Sequence, residues 1–168
     1  MGSDEAFRAF VAARYPALVR AARLLAADPA QAEDLTQSAL VKTYVRWSSL
    51  RAPGAAESYT RTVLVRLALR GGRRRWRGEL PTAQLPEPPG RDVYGAVDEA
   101  DAVRRALAAL PADQRSVLVL RYYLELSEAE IAETLHCSPG TVKSRASRAL
   151  TALRAGGLLT DALEASDG

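Results

Sequence analysis

The chain holds one histidine, His136, and one cysteine, Cys137, side by side. A nucleophile–His–acid set has only that one imidazole to draw on, and no such set is present. No glycine-rich phosphate loop is found either, so no enzymatic activity is expected. A single Cys excludes an internal disulfide framework and a multi-Cys zinc site, and a single His excludes a multi-histidine metal site. No catalytic residue, metal or cofactor is therefore assigned. The His136–Cys137 pair reads as turn packing rather than as a redox or metal switch. What remains able to act is charge. Of the 23 basic residues only Lys42 and Lys143 are lysines, and 20 acids leave a net charge of +3. That excess is modest, so its placement matters more than its size.

Two places concentrate it. Residues 58–77 carry Arg61, Arg66, Arg70, Arg73, Arg74, Arg75 and Arg77 with no acid. On a continuing helix Arg66, Arg70, Arg74 and Arg77 fall near one face. Tyr59 and Trp76 flank the run, and Trp47 ends the helix before it. Arginine for phosphates with aromatics for exposed bases suits single strands or distorted duplex. The alternative is a solvated charge run with core aromatics. Residue pattern alone favours the core for Tyr59 and leaves Trp47 open. The second place is 127–154. Ser127-Glu128-Ala129-Glu130 is a capping box, and Ser138-Pro139 is an N-cap followed by proline at the first helical position. A short helix, a turn of His136, Cys137 and Ser138, and a second helix give helix-turn-helix spacing. The first helix carries Glu128, Glu130 and Glu133 without a base. The second carries Lys143, Arg145, Arg148 and Arg154 without an acid. Thr141, Lys143, Ser144, Ser147 and Arg148 lie mainly opposite Val142, Ala149 and Leu153, as base- and phosphate-reading side chains would. The alternative is a helical hairpin with a solvated basic face.

The elements that must position these residues are helices. Ala, Leu and Arg dominate 1–77, and all three favour helix. Apolar spacing predicts helices over about 4–26, 29–47 and 57–70, with Asp28-Pro29 starting the second and Gly71-Gly72 weakening or ending the third. Residues 78–98 contain Pro81, Pro86, Pro88 and Pro89 among several glycines and read as a flexible linker. From Glu79 to Asp101 six acids face one base, Arg91, so this strap is acidic between basic neighbours. Helices resume from 99, with Pro111 restarting the chain and Gly156-Gly157 ending the last helix. The expected organisation is all-α, with helical units at 1–77 and 99–157, a linker at 78–98 and a tail at 158–168. No apolar run approaches the roughly 18 residues that span a bilayer. Asp4 and Glu5 do not suit a signal peptide, so a reduced, cytoplasmic protein is expected.

Taken in order, the motifs resemble a known family. Ala32-Glu33-Asp34-Leu35-Thr36-Gln37, then an apolar helix ending in Trp47, resembles the core-polymerase-binding segment of bacterial sigma factors. Leu110-Pro111, Arg115, Leu120-Arg121-Tyr122, Ser127 to Ala132 and Ser138 to Arg145 resemble their region that reads the −35 promoter element. The arrangement is similar to extracytoplasmic-function (ECF, group 4) sigma factors. Gln37 to Tyr44 and Gly78 to Thr82 look closest to the actinobacterial SigE-like subgroup. The resemblance implies a region 2 helical bundle over 1–77 and a region 4 helix-turn-helix over 99–157. It implies that Asp34, Gln37, Leu40 and Val41 dock on the β′ clamp helices of RNA polymerase. The loop 48–57 and Tyr59, Arg61 and Arg66 would meet the −10 element, with the arginines from Arg70 through Arg73, Arg74 and Arg75 to Arg77 on its backbone. Residues 99–154 would grip the β flap and read the −35 element through Thr141, Lys143, Ser144, Arg145, Ser147 and Arg148. An anti-sigma protein wedged between the halves is common in the family and joins the implied partners, core polymerase and promoter DNA. The rival is a stand-alone helix-turn-helix regulator, which leaves 29–77 without a role.

Overall fold

Alanine-rich faces let the first helices approach closely. A computed structural model describes residues 2–26, 28–76 and 95–157, the side chains of 72–76 and 95–99 apart. Most of the expected linker, Arg77 and the tail 158–168 lie outside the described residues. Helix α1 (Ser3–Leu25) buries Leu18, Val19, Ala21, Ala22 and Leu25. Pro16 stands inside it. Ala12, whose carbonyl loses its ladder partner to that ring, is exposed to water, so the helix continues.

Helix α2 (Gln31–Arg46) starts two residues later than its start signal predicts. Asp28 does cap: its Oδ1 accepts the Ala30 N–H at 3.0 Å. The first turn, however, is closed by Gln31 and Ala32 donating to the carbonyls of Asp28 and Pro29, a tighter geometry than α-helix. Trp47–Ser49 then forms a 3₁₀ turn. Helix α3 (Ala55–Trp76) packs along α2. The two are joined by hydroxyls at fully buried positions. The Thr43 and Thr60 Oγ1 atoms lie 2.7 Å apart, so one hydroxyl donates to the other, which in turn donates to the carbonyl of its own helix, Ala39 at 2.8 Å or Ala56 at 2.7 Å.

Helix α3 passes through Gly71-Gly72 instead of ending near Arg70. Each glycine costs about 1 kcal/mol against alanine, too little to stop a helix that has no proline or cap at that point. A Cβ at Gly71 would meet nothing within 4 Å, so this glycine is not required by a close approach. Helix α4 (Gly95–Ala109) likewise begins ahead of the predicted boundary at 99. The last proline of the linker is Pro89, and nothing after it forbids helix.

Helix α5 (Ala112–Leu118) follows Pro111 and turns π-helical over Val119–Tyr123. Leu124 donates to the Val119 carbonyl, Leu126 to that of Leu120, and Glu125 takes φ 55°. The wider turn buries Leu120 and Leu126 and leaves Tyr122 and Tyr123 outside. Helix α6 (Glu128–Leu135) carries the complete capping box. It ends with His136 left-handed at φ 52°, while Cys137 and His136 donate to the carbonyls of Ala132 and Glu133. This is a Schellman closure with histidine where glycine is usual. Helix α7 (Pro139–Ala155) is capped by Ser138. Ala132 and Val142 are buried where α6 and α7 cross.

The helical units at either end of the chain rest on each other. Helix α3 packs on α5 and α6, and α1 packs on α4, α5 and the π turn. Buried residues of both units, among them Leu64, Val65, Leu118 and Ile131, form one continuous core. Among the described residues there is no β-strand.

Thr43→Val and Thr60→Val are each expected to cost about 1 kcal/mol, with the double variant costing less than the sum because the pair shares one contact. Urea unfolding of the four proteins measures this. The Glu130 carboxyl is held below its ordinary value by the Ser127 backbone N–H, then by the Ser127 hydroxyl, with a smaller contribution from Arg61. The carboxylate therefore stabilises α6 at neutral pH, and that contribution fades as pH falls below the ordinary carboxylate value of 4.5. Glu130→Gln should flatten this part of the acid unfolding curve followed by circular dichroism, while a fully unchanged curve would contradict it.

Candidate nucleic-acid and polymerase interfaces

Helix α7 turns its polar side chains outward by burying Val142, Ala146 and Ala149. Lys143, Ser144, Ser147 and Arg148 are exposed, on neighbouring turns of one face. Thr141 is half-buried at the helix start, where its N–H and hydroxyl both meet the Ser138 hydroxyl, at 3.1 and 2.9 Å. Lys143 Nζ lies 3.8 Å from Glu128. Such a loose, exposed pair contributes little and leaves the lysine exchangeable to a phosphate. Arg145 is placed differently from the others. Its Nε is 3.4 Å from Asp113 of α5 and its side chain is only 27% exposed. It ties α7 to α5 rather than joining the outward group.

On α3, Tyr59 and Arg61 are half-buried, and Arg66 and Arg70 are exposed. The Arg61 Nε is buried with no hydrogen-bond partner. The Arg66 guanidinium meets His136 Nε2 across the two units. Arg73, Arg74 and Arg75 continue the helix. The run therefore divides, with Arg61 and Arg66 turned toward the helix-turn-helix and Arg70 away in solvent. Trp47, left open by the residue pattern, packs edge-on against Phe7 at 5.2 Å and against Phe10 at 5.3 Å, so its ring serves the α1–α2 junction.

On α2, Asp34 and Gln37 are exposed, and so is Val41 at 63%. Leu40 is corrected: it is buried within the core against the neighbouring helices. A helix cannot point residues 40 and 41 the same way, and the core takes the leucine. Val45 and Tyr44, missed by sequence reasoning, complete the exposed stripe. Val45 was findable as the position one turn beyond Val41. The Tyr44 hydroxyl donates to Asp4 at 3.0 Å, and this hydrogen bond, with the charge of Asp4, raises its pKa. Among the described residues, Tyr122, Tyr123 and Val103 are the other large exposed apolar side chains. Arg115 is buried in α5 and donates to the Leu110 carbonyl at 3.3 Å, a helix-joining role. Among the described residues no cluster of His, Cys, Asp and Glu could hold a metal ion, and no helix is long and apolar enough to cross a membrane.

The chain matches known proteins along most of its length. Residues 10–78 match the family model for sigma-70 region 2, and residues 100–153 match that for sigma-70 region 4. The chain is 40% identical over 154 residues to an RNA polymerase sigma-E factor of Streptomyces coelicolor, covering 92% of this chain and 87% of that one. It is 34% identical to the ECF RNA polymerase sigma factor SigM of Mycobacterium tuberculosis, over 88% of this chain and 75% of that protein. Its fold is similar to that of the sigma factor RpoE in complex with the anti-sigma factor NepR from Bartonella quintana, with a TM-score of 0.67 at 26% identity over 89% of this chain and 95% of the other. With both regions matched in order and on either side of the linker, the chain belongs to the sigma-70 family of RNA polymerase sigma factors, as a member of the ECF, SigE-like type.

Proposed function

We propose that α2 docks on core RNA polymerase through Asp34, Gln37, Val41, Tyr44 and Val45, while α3 and α7 read the −10 and −35 promoter elements. The observation that carries this is the separation of surfaces. An exposed apolar stripe edged by Asp34 and Gln37 lies on α2, and basic faces lie on α3, which has no acid after Glu57, and on α7, which has none. Such a stripe is suited to a large protein partner, and the basic faces are suited to phosphates. The β′ clamp helices are the site assigned to α2, and the β flap is assigned to the region 4 unit. Tyr59, Arg61 and Arg66 serve the −10 element, where an unstacked base of the opening duplex can be captured. Arg70 and the arginines through Arg77 hold its backbone. The chain performs no bond chemistry, works in the cytoplasm and is open to control by an anti-sigma protein.

Thr141, Lys143, Ser144, Ser147 and Arg148 face the −35 element. Arg145 sets the tilt of α7 through Asp113. Affinity arises because two modest sites on one chain act together once polymerase holds them at the right spacing. A stand-alone regulator would protect DNA without polymerase and would leave the α2 stripe unused.

Run-off transcription with core polymerase and a template library tests this, with selective initiation expected only when the chain is added. Initiation no different from core polymerase alone would refute it. Within that assay, Val41→Asp should abolish selective initiation while the purified chain keeps its helical circular dichroism. Arg148→Ala should lower use of the selected promoters by about 1–3 kcal/mol and relax one −35 position, whereas Lys143→Ala should weaken binding across sequences and reduce the salt slope by about 1.

A further inference from the structure

The exposed stripe on α2 is braced by another helix. Val41, Tyr44 and Val45 share one face at three- and four-residue helical spacing, and Tyr44 is 48% exposed. Its ring is nevertheless held from α1. It lies 4.9 Å from the ring of Phe7, and Phe7 in turn meets Trp47 edge-on at 5.2 Å. The Tyr44 hydroxyl donates to Asp4 Oδ1 at 3.0 Å. Asp4 stands in the first turn of α1. It raises the pKa of the tyrosine chiefly through that hydrogen bond, against a smaller opposing influence from the charge of Arg8. Asp4 and Phe7 both lie ahead of residues 10–78, the stretch that matches sigma-70 region 2. They thus reach the α2 stripe from outside the matched stretch.

From this we infer that Asp4 is a positioning residue for polymerase docking: its hydrogen bond fixes the Tyr44 ring on Phe7, so that α1 sets the surface that α2 presents to core polymerase. The inference rests on the assignment of the α2 stripe to polymerase. Two physical reasons support it. An aromatic side chain that meets its partner already in the bound rotamer loses less freedom on binding, which is why rigid aromatics serve well as interface anchors. The hydroxyl matters as well. When a partner covers Tyr44, its O–H leaves water and needs an acceptor, and Asp4 brings that acceptor from within the chain. A first-turn acid also suits the N-terminal end of a helix. That role alone would leave Asp4 indifferent to whether residue 44 carries a hydroxyl, and the two roles are therefore separable.

Core polymerase titrated into the fluorescently labelled full chain, read by anisotropy, tests this. The chains compared are the native one, Asp4→Ala, Tyr44→Phe, the double variant and Asp4→Asn, and far-UV circular dichroism confirms that each keeps native helix. Positioning predicts that Asp4→Ala and Tyr44→Phe each weaken polymerase binding about fivefold, the contribution of a single hydrogen bond. The double variant should be no weaker than either single one, because both remove the same contact. Asp4→Asn should bind like the native chain, since its amide oxygen still accepts from the hydroxyl. An Asp4→Ala chain that binds like the native one, losses that add in the double variant, or an Asp4→Asn chain as weak as Asp4→Ala overturns the proposal. Val41→Asp is measured beside them. If it leaves binding intact, the docking role of α2 fails and the proposal with it. If it abolishes binding while the Asp4 and Tyr44 variants leave it unchanged, the positioning role alone fails.

Discussion

Repulsion and attraction among charges on a small helical scaffold set the terms of this protein. Its arginines repel one another on so small a scaffold and must be held in order. The structure meets this by pairing cations lightly. Lys143 sits near Glu128 at 3.8 Å, and Arg66 rests on the imidazole of His136. Where a cation is needed for architecture the pairing is more enclosed, as with Arg145 on Asp113 and buried Arg115 on the Leu110 carbonyl. Exposure therefore separates the cations enclosed by the scaffold from those left facing water.

The scaffold itself depends on small residues and hydroxyls. Ala22, Ala32 and Ala149 are fully buried, and Thr36, Thr43 and Thr60 are buried beside them. These let helices approach closely while each hydroxyl finds a carbonyl or another hydroxyl. The larger apolar groups are shared between the two ends of the chain, so the cores of the two units are continuous. That continuity is what brings α3 and the turn ahead of α7 into one contact.

Much of this was legible in the residues. The caps at Ser127 and Ser138 are local signals, and both formed as spaced. The burial of Val142 and the outward placement of Lys143 and Arg148 follow from helical periodicity. Three features were not legible. The passage of α3 through Gly71-Gly72 turns on a small propensity cost outweighed by packing elsewhere along the helix. The burial of Leu40 beside exposed Val41 depends on the exact rotation of α2 against its neighbours, which spacing fixes only to within a residue. The docking of the helix-turn-helix on α3 is a contact between distant segments, Arg66 and His136 being 70 residues apart, and no local pattern encodes it. The resemblance to sigma factors supplied what periodicity could not, a purpose for the exposed stripe on α2.

The account stands on two basic surfaces acting on one promoter only while polymerase sets their distance. Hydroxyl-radical footprinting on a promoter selected by the chain tests this most directly. The account predicts two separated patches of protection, upstream and near the start site, when chain and core polymerase are both present, and neither patch with the chain alone. Full protection by the isolated chain, or one patch persisting alone in the ternary complex, would contradict it.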